Sequence, residues 1–285
     1  MDRPRGEFLE HVHGRKNLVL GVGRAGSAVP EFPWALVSVS DSPIDANIFR
    51  RGGVTSFPLY RYPPEDGARR RKGDLFGEDD PFAGKERIEN IAPAFRAELA
   101  RRYGEPKFTP EKVFGYVYAV LHAPAYRARY AEFLRIDFPR IPLVESRKNF
   151  ETLADLGWSL AQIHLMKTLP RSKLGKYQGN GDNGVEKPRY AEAEQALYIN
   201  AGQKFAPIPP EVWNFQIGGY QVLEKYLKSR KGRTLSLDEV SQIERITAAL
   251  EATIACMAKI DTAYRASSPP ITAGKPRSPS PLIRP

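Results

Sequence analysis

Apolar positions follow two different rhythms along this chain. Up to about residue 62 they come as short Val- and Leu-rich runs bounded by Gly, Pro and Asp, over residues 17–22 (NLVLGV), 34–40 (WALVSVS) and 54–62 (VTSFPLYRY). Runs of that length and composition predict three strands. Pro58 places the third at a sheet edge or ends it early, because proline donates nothing to a ladder. Residues 6–13 (GEFLEHVH) predict a short helix before them.

From Ile91 onward the spacing changes to threes and fours. Thr109-Pro110-Glu111 forms a helix start: a capping hydroxyl, a proline whose fixed φ suits the first turn, and an acid facing the dipole. Val113, Phe114, Val117, Tyr118 and Leu121 then mark one buried face. Pro124 breaks that run and begins a second helix over 124–136. Asn149 can cap a third, with Phe150, Leu153, Leu156, Leu160 and Ile163 as its stripe. Residues 170–210 return to turns and short strands. GNGDNG (179–184) combines residues that tolerate positive φ, and ALYIN followed by AGQKF predicts a hairpin. Ser236-Leu237-Asp238-Glu239 spells a capping box, and Val240, Ile243, Ile246, Leu250, Ile254, Met257 and Ile260 extend it into a long packed helix.

The pattern predicts an α+β protein: a β-leaning N-terminal part, then a mainly helical part with an inserted hairpin and loop region and a long C-terminal helix. The expected divisions are an N-terminal α/β portion over 1–90, a helical domain over 91–264 with the insertion at 170–210, and a disordered basic tail over 265–285. Six basic and eight acidic side chains among Gly and Pro make 63–90 a charged loop. The tail has six prolines after Ser268 and no acid.

Charge narrows the function classes. The 285 residues carry 43 Lys+Arg against 33 Asp+Glu, a formal charge of +10, which favours a polyanionic partner. Cys256 is the only cysteine, so no internal disulfide and no thiolate zinc site can form, as suits a reducing cytosol. No apolar run approaches the roughly 18–20 residues of a membrane span. Acidic and basic residues interrupt the start, where a signal peptide would be apolar. A cytoplasmic protein without a membrane partner is expected.

Candidate chemistry is sparse. His11 and His13, two apart, would point to different faces of a helix, and His122 and His164 stand alone on helical segments, as packed or capping histidines do. There is no phosphate loop, no G-x-S-x-G elbow, no H-E-x-x-H and no Asn/Asp-Pro-Pro-Tyr/Phe tetrapeptide. GVGRAG (21–26) spells the dinucleotide fingerprint, but Pro30 and Pro33 stand where the helix that meets the pyrophosphate should begin. No catalytic, metal or cofactor-binding residue is therefore assigned.

Basic and amide side chains are the better candidates. Lys225, Lys228, Arg230, Lys231 and Arg233 follow the apolar face of a short helix, and Arg127 and Arg129, with Arg135 and Arg140, follow Pro124. Such cations on rigid supports suit DNA phosphates. LGKYQGNGDNGVEKPRY (174–190) concentrates Lys176, Gln178, Asn180, Asn183, Lys187 and Arg189 on an expected projecting loop, with the donor and acceptor pairs that read base edges.

Several stretches together resemble the C-terminal specificity domain of type ISP restriction-modification enzymes. These are FGYVYAVLHAPAYRARYAEFLRIDFPRIPL (114–143), GDNGVEKPRY (181–190), VWNFQIGGYQVLEKYLKSRKGRTLS (212–236) and MAKID (257–261), with RPRGEFLEHVHGRKNLVLGVGR (3–24) resembling the segment that follows the methyltransferase core. The resemblance implies target recognition on double-stranded DNA. It implies too that the adenine-N6 methyltransferase, the ATP-dependent translocase and the nuclease are supplied elsewhere, by a partner polypeptide or by missing N-terminal domains. S-adenosylmethionine, ATP and Mg would serve those parts, with no cofactor in this chain. A truncated, inactive remnant and one half of a split adenine-specific methyltransferase are the alternative readings.

Overall fold

The computed structural model describes residues 6–23, 34–49, 53–63, 81–82, 84–104 and 108–267. The centre of the charged loop, the tail from residue 268, and Arg24 to Pro33 lie outside these residues.

After α1 (Gly6–Val12), three antiparallel strands form one sheet in the order β2-β1-β3, with β1 Val19–Gly23, β2 Val37–Ser40 and β3 Val54–Pro58. β3 is an edge strand and Pro58 is its last residue, as the proline requires. Asn17 fastens the entry to β1: its amide donates to the carbonyls of His11 (2.8 Å) and Tyr60 (2.7 Å) while its oxygen accepts from the Tyr60 amide (3.0 Å). A two-residue ladder, β4 (Tyr60–Arg61) with β5 (Ile88–Glu89), follows. Gly21 and Gly23 of the fingerprint lie inside this sheet, and Gly26 lies outside the described residues. A Cβ on Gly21 would stand 2.4 Å from Ser38 Oγ, and one on Gly23 2.7 Å from Leu36 Cβ, so close packing accounts for both. Both neighbours of β1 run antiparallel to it.

Helices then cover the sheet: α2 (Pro93–Tyr103), α3 (Pro110–His122), α4 (Pro124–Arg129), α5 (Ala131–Ile136) and α6 (Arg147–His164). Thr109 caps α3 by accepting from the Lys112 amide at 3.2 Å. Two expectations need correction. The helix over 124–136 is two helices, because the Tyr130 backbone leaves helical values (φ −110°, ψ 19°) although its amide still bonds the Tyr126 carbonyl. Asn149 does not cap α6; Ser146 does, accepting from the Asn149 amide at 3.2 Å, one turn earlier. α3 and α6 approach backbone to backbone where Gly115 meets Gly157. A Cβ on Gly157 would fall 1.9 Å from the Gly115 carbonyl oxygen.

The second half is a four-stranded antiparallel sheet in the order β6-β9-β8-β7, with β6 Lys176–Gln178, β7 Arg189–Ala191, β8 Ala196–Tyr198 and β9 Lys204–Ala206. The β8–β9 hairpin is the expected one. α7 (Pro210–Trp213), the hairpin of β10 (Gln216–Ile217) and β11 (Tyr220–Gln221), and α8 (Val222–Lys228) follow. α9 (Leu237–Ser267) is the last element among the described residues, its 31 residues about 46 Å long at 1.5 Å each. Its capping box is complete: the Glu239 amide donates to Ser236 Oγ and the Ser236 amide to Glu239 Oε2, each at 3.1 Å.

α9 also joins two apolar cores. Val240, Ile243, Ile246 and Leu250 pack with Leu197, Phe205, Leu223 and Leu227 of the second sheet and α8. Cys256, Ile260 and Tyr264 pack instead with the first sheet and α2–α6, in a cluster reaching from Val22 to Ala161. The architecture is α+β, with both cores strung on one rod.

Candidate nucleic-acid interface

The segment expected to project, residues 174–190, is instead folded onto the second sheet. β6 and β7 take its two ends, and a buried amide network holds its middle. Gln203, 1% exposed, donates its Nε2 to Asn183 Oδ1 (3.0 Å) and to the Tyr177 hydroxyl, and accepts from the Asn183 amide (3.0 Å) and from Asn200 Nδ2 (2.8 Å). The Tyr177 hydroxyl in turn donates to Asn183 Oδ1, and Asn183 takes φ +61°, a value asparagine tolerates. Asn183 is therefore a strut of the loop, its oxygen already engaged twice. Nothing in the sequence points to Gln203, Tyr177 or Asn200, since a lone Gln between strands carries no periodic signal.

Backbone bonds then bring the second basic stretch alongside the first. The Val185 amide donates to the Arg233 carbonyl (2.8 Å), the Gly232 amide to the Val185 carbonyl (2.7 Å) and the Leu235 amide to the Asn183 carbonyl (3.0 Å). Residues 183–189 and the turn after α8 thus form one surface.

Within that surface the cations differ in their partners. Lys176 pairs with Glu244 (2.7 Å), Lys228 with Glu224 (2.9 Å), and Arg230 and Arg233 both reach Glu239 Oε1 (2.9 and 3.3 Å). Arg230 also donates to the Tyr226 carbonyl and lies 3.6 Å over the Tyr226 ring, so it is built into the end of α8. The Glu239 carboxyl is held below its ordinary range by the bond from the Ser236 amide, with Arg230 adding to it against the cost of burial. Burial tends to raise the Glu244 carboxyl, but Lys176 and the Tyr177 amide outweigh it.

Lys187, Arg189, Lys225 and Lys231 are exposed, and none pairs with a carboxylate of the described residues. Arg189 lies 4.6 Å over the ring of Tyr198, its antiparallel partner across the ladder, and Lys225 lies 4.4 Å over Tyr220. Stacking of this kind fixes a long cation without neutralising it. Asn180 is exposed on the turn, and Gln178 is exposed with one bond, from its Nε2 to the Ala206 carbonyl at 3.3 Å.

The cations after Pro124 lie elsewhere. Arg129 is exposed beside Tyr130, while Arg135 and Arg140 pair with Glu132 and Asp137. Arg127 turns inward, its Nε donating to the Leu121 carbonyl at 2.7 Å, and so is not a surface cation. No group of three or more His, Cys, Asp or Glu among the described residues is placed to hold a metal, and none of their helices is long and apolar enough to cross a membrane.

The model of the type ISP C-terminal specificity domain matches residues 1–259. Three solved structures share the fold. The ATP-dependent type ISP restriction-modification enzyme LlaBIII bound to DNA is 19% identical at a TM-score of 0.65, over 90% of this chain and 17% of that one. The DrdV–DNA complex is 22% identical at 0.61, over 87% and 24%. A nuclease-deletion mutant of the type ISP enzyme LlaGI in complex with a DNA substrate mimic is 19% identical at 0.59, over 90% and 18%. This chain spans less than a quarter of the length of each. No curated protein matches it.

Proposed function

The chain belongs to the family of type ISP C-terminal specificity domains, and on that footing we propose that it grips double-stranded DNA and reads a sequence on it. The observation that carries this reading is the junction of residues 183–189 with the turn after α8, which brings together the exposed cations Lys187, Arg189 and Lys231, none paired with a carboxylate among the described residues. Lys225 and Lys231 meet phosphates, which positions the duplex without reading it. Arg189, Lys187, Gln178 and Asn180 offer the donors and acceptors that a base edge requires. Lys176, Asn183 and Arg230 hold this face in shape.

The chemistry belongs to other parts of the system. In this reading an adenine-N6 methyltransferase using S-adenosylmethionine, and a translocase and nuclease using ATP and Mg, act on DNA that this chain has positioned in the cytoplasm. The setting is restriction-modification defence in a bacterium. A methylated base must leave the stack, so holding the duplex on both sides of it is the help a specificity domain gives.

Binding across a salt series tests the reading. On duplex DNA the logarithm of the affinity should fall linearly with the logarithm of salt, by about 0.9 per phosphate neutralised. Lys225→Ala and Lys231→Ala should each flatten that line equally on every sequence. Arg189→Ala should instead narrow the gap between preferred and random duplexes. Equal effects of all three on both kinds of duplex would overturn the division of roles.

A further inference from the structure

Arg127 and its neighbours line a second site, independent of the DNA-facing surface. A cavity of about 210 Å³ lies between β2 of the first sheet, the β10–β11 hairpin, the ends of α3 and α6, and the middle of α9. One wall is apolar, with Val39, Ile217, Leu250 and Met257. The other carries Tyr118, His122, Arg127, His164 and Thr253.

Among the described residues the hydrogen bonds there leave a positive charge without a carboxylate partner. Pro124 ends α3, and the Ala125 amide that might have bonded the Leu121 carbonyl donates to Asp261 Oδ1 instead (2.6 Å). Arg127 Nε fills that place, and its remaining N–H groups have no hydrogen-bond partner among the described residues. The carboxyl end of α3 supplies about half a negative charge, and the Trp34 ring lies 5.8 Å away. Neither is an ion.

The histidines cannot supply the missing charge. Thr253 donates its hydroxyl to the Ala249 carbonyl (2.6 Å), so it accepts from His164 Nε2 (3.1 Å), and Tyr118 donates to His164 Nδ1 (2.6 Å). Burial and the charge of Arg127 keep His164 neutral, so both of its nitrogens are engaged in this arrangement. His122 donates Nδ1 to the Tyr118 carbonyl (2.8 Å), which leaves its Nε2 bare. Burial lowers all three basic groups, Arg127 to about 10 and His164 to about 4.

We propose that this cavity binds a small organic oxyanion, a carboxylate or phosphate carried on an apolar body, with the free fork of Arg127 as its anchor. A planar guanidinium matches two oxygens of such a group, and the apolar wall of α9 and the hairpin accommodates the rest. Its lining comes from both cores, so an occupant bridges the sheet at the N-terminus and the half of the molecule that carries the DNA-facing surface.

Calorimetric titration of the whole chain with benzoate, phenyl phosphate and benzyl alcohol tests this. One or both anions should bind at one site and the neutral alcohol should not, and the anion that binds identifies the headgroup. Arg127→Met should weaken that binding by about tenfold or more. Failure of both anions to bind, equal binding of the alcohol, or unchanged affinity in Arg127→Met would overturn the proposal. Should the variant fail to fold, 15N-labelled histidines in the unaltered chain give the same answer. The His122 and His164 ring signals should move on titration, and unmoved signals would contradict it.

Discussion

Gly232 donates its amide to the carbonyl of Val185 at 2.7 Å, and through that bond two basic stretches far apart in sequence become one surface. The contact needs a glycine: Gly232 has φ +79°, where a β-branched side chain meets its own backbone. Gly232→Val should therefore cost about 1–2 kcal/mol in urea unfolding. It should also weaken binding to every DNA sequence, since it disturbs the support rather than a reading residue.

Arg230 and Lys231 are neighbours with opposite expected behaviour. Lys231→Ala should leave stability within about 0.5 kcal/mol and lower the salt slope of DNA binding by about one. Arg230→Ala should lower the midpoint of urea unfolding, because it removes a partner of the capping Glu239 and the stacking on Tyr226.

Asn183 and Arg189 should separate in the same way. Asn183→Ala deprives the Tyr177 hydroxyl of its acceptor and Gln203 Nε2 of one of its two, and should cost about 1–3 kcal/mol. Arg189→Ala, at an exposed stacked position, should leave stability nearly unchanged and relax sequence preference. Urea titration alongside competition binding distinguishes the two.

Gly157→Ala tests the crossing of α3 and α6. Alanine favours a helix by up to about 1 kcal/mol over glycine. Here its Cβ would fall 1.9 Å from the Gly115 carbonyl oxygen, so the helices must part. Overpacking of this kind should win and destabilise the protein by about 1–3 kcal/mol, read from urea unfolding.

Acid should weaken the fold before carboxylates titrate. Burial, with the charge of Arg127, lowers His164 from 6.5 to about 4, and His122 moves the same way. A histidine held neutral when folded takes up a proton more readily when unfolded, so stability is complete above pH 6.5 and falls as pH drops towards 4. For His164 the loss is about 3 kcal/mol. Unfolding midpoints between pH 7 and 4 should show it, and His164→Gln, which can still donate to Thr253 and accept from Tyr118, should flatten that slope.

What the sequence makes legible is local. The Ser236–Glu239 box, the Thr109 cap, the strand ending at Pro58 and the β8–β9 hairpin all rest on residues within a few positions of one another. The sequence points to Asn149 and not to Ser146 because both are capping residues and the apolar stripe begins only at Phe150. The folding of 174–190 onto the sheet depends on Gln203 and on backbone bonds to residues 232–235, and Arg127 turns inward because Asp261 takes the amide of Ala125. Contacts between such distant residues leave no period in a sequence, so the basic stretches could be named but not joined.

The central claim, that this chain selects DNA by sequence, is tested most directly by selecting bound duplexes from a random library with the full chain, in the presence of excess heparin. The account predicts that successive rounds enrich one short sequence and that Arg189→Ala blunts the enrichment. A library that stays random, or binding that heparin abolishes entirely, would contradict it.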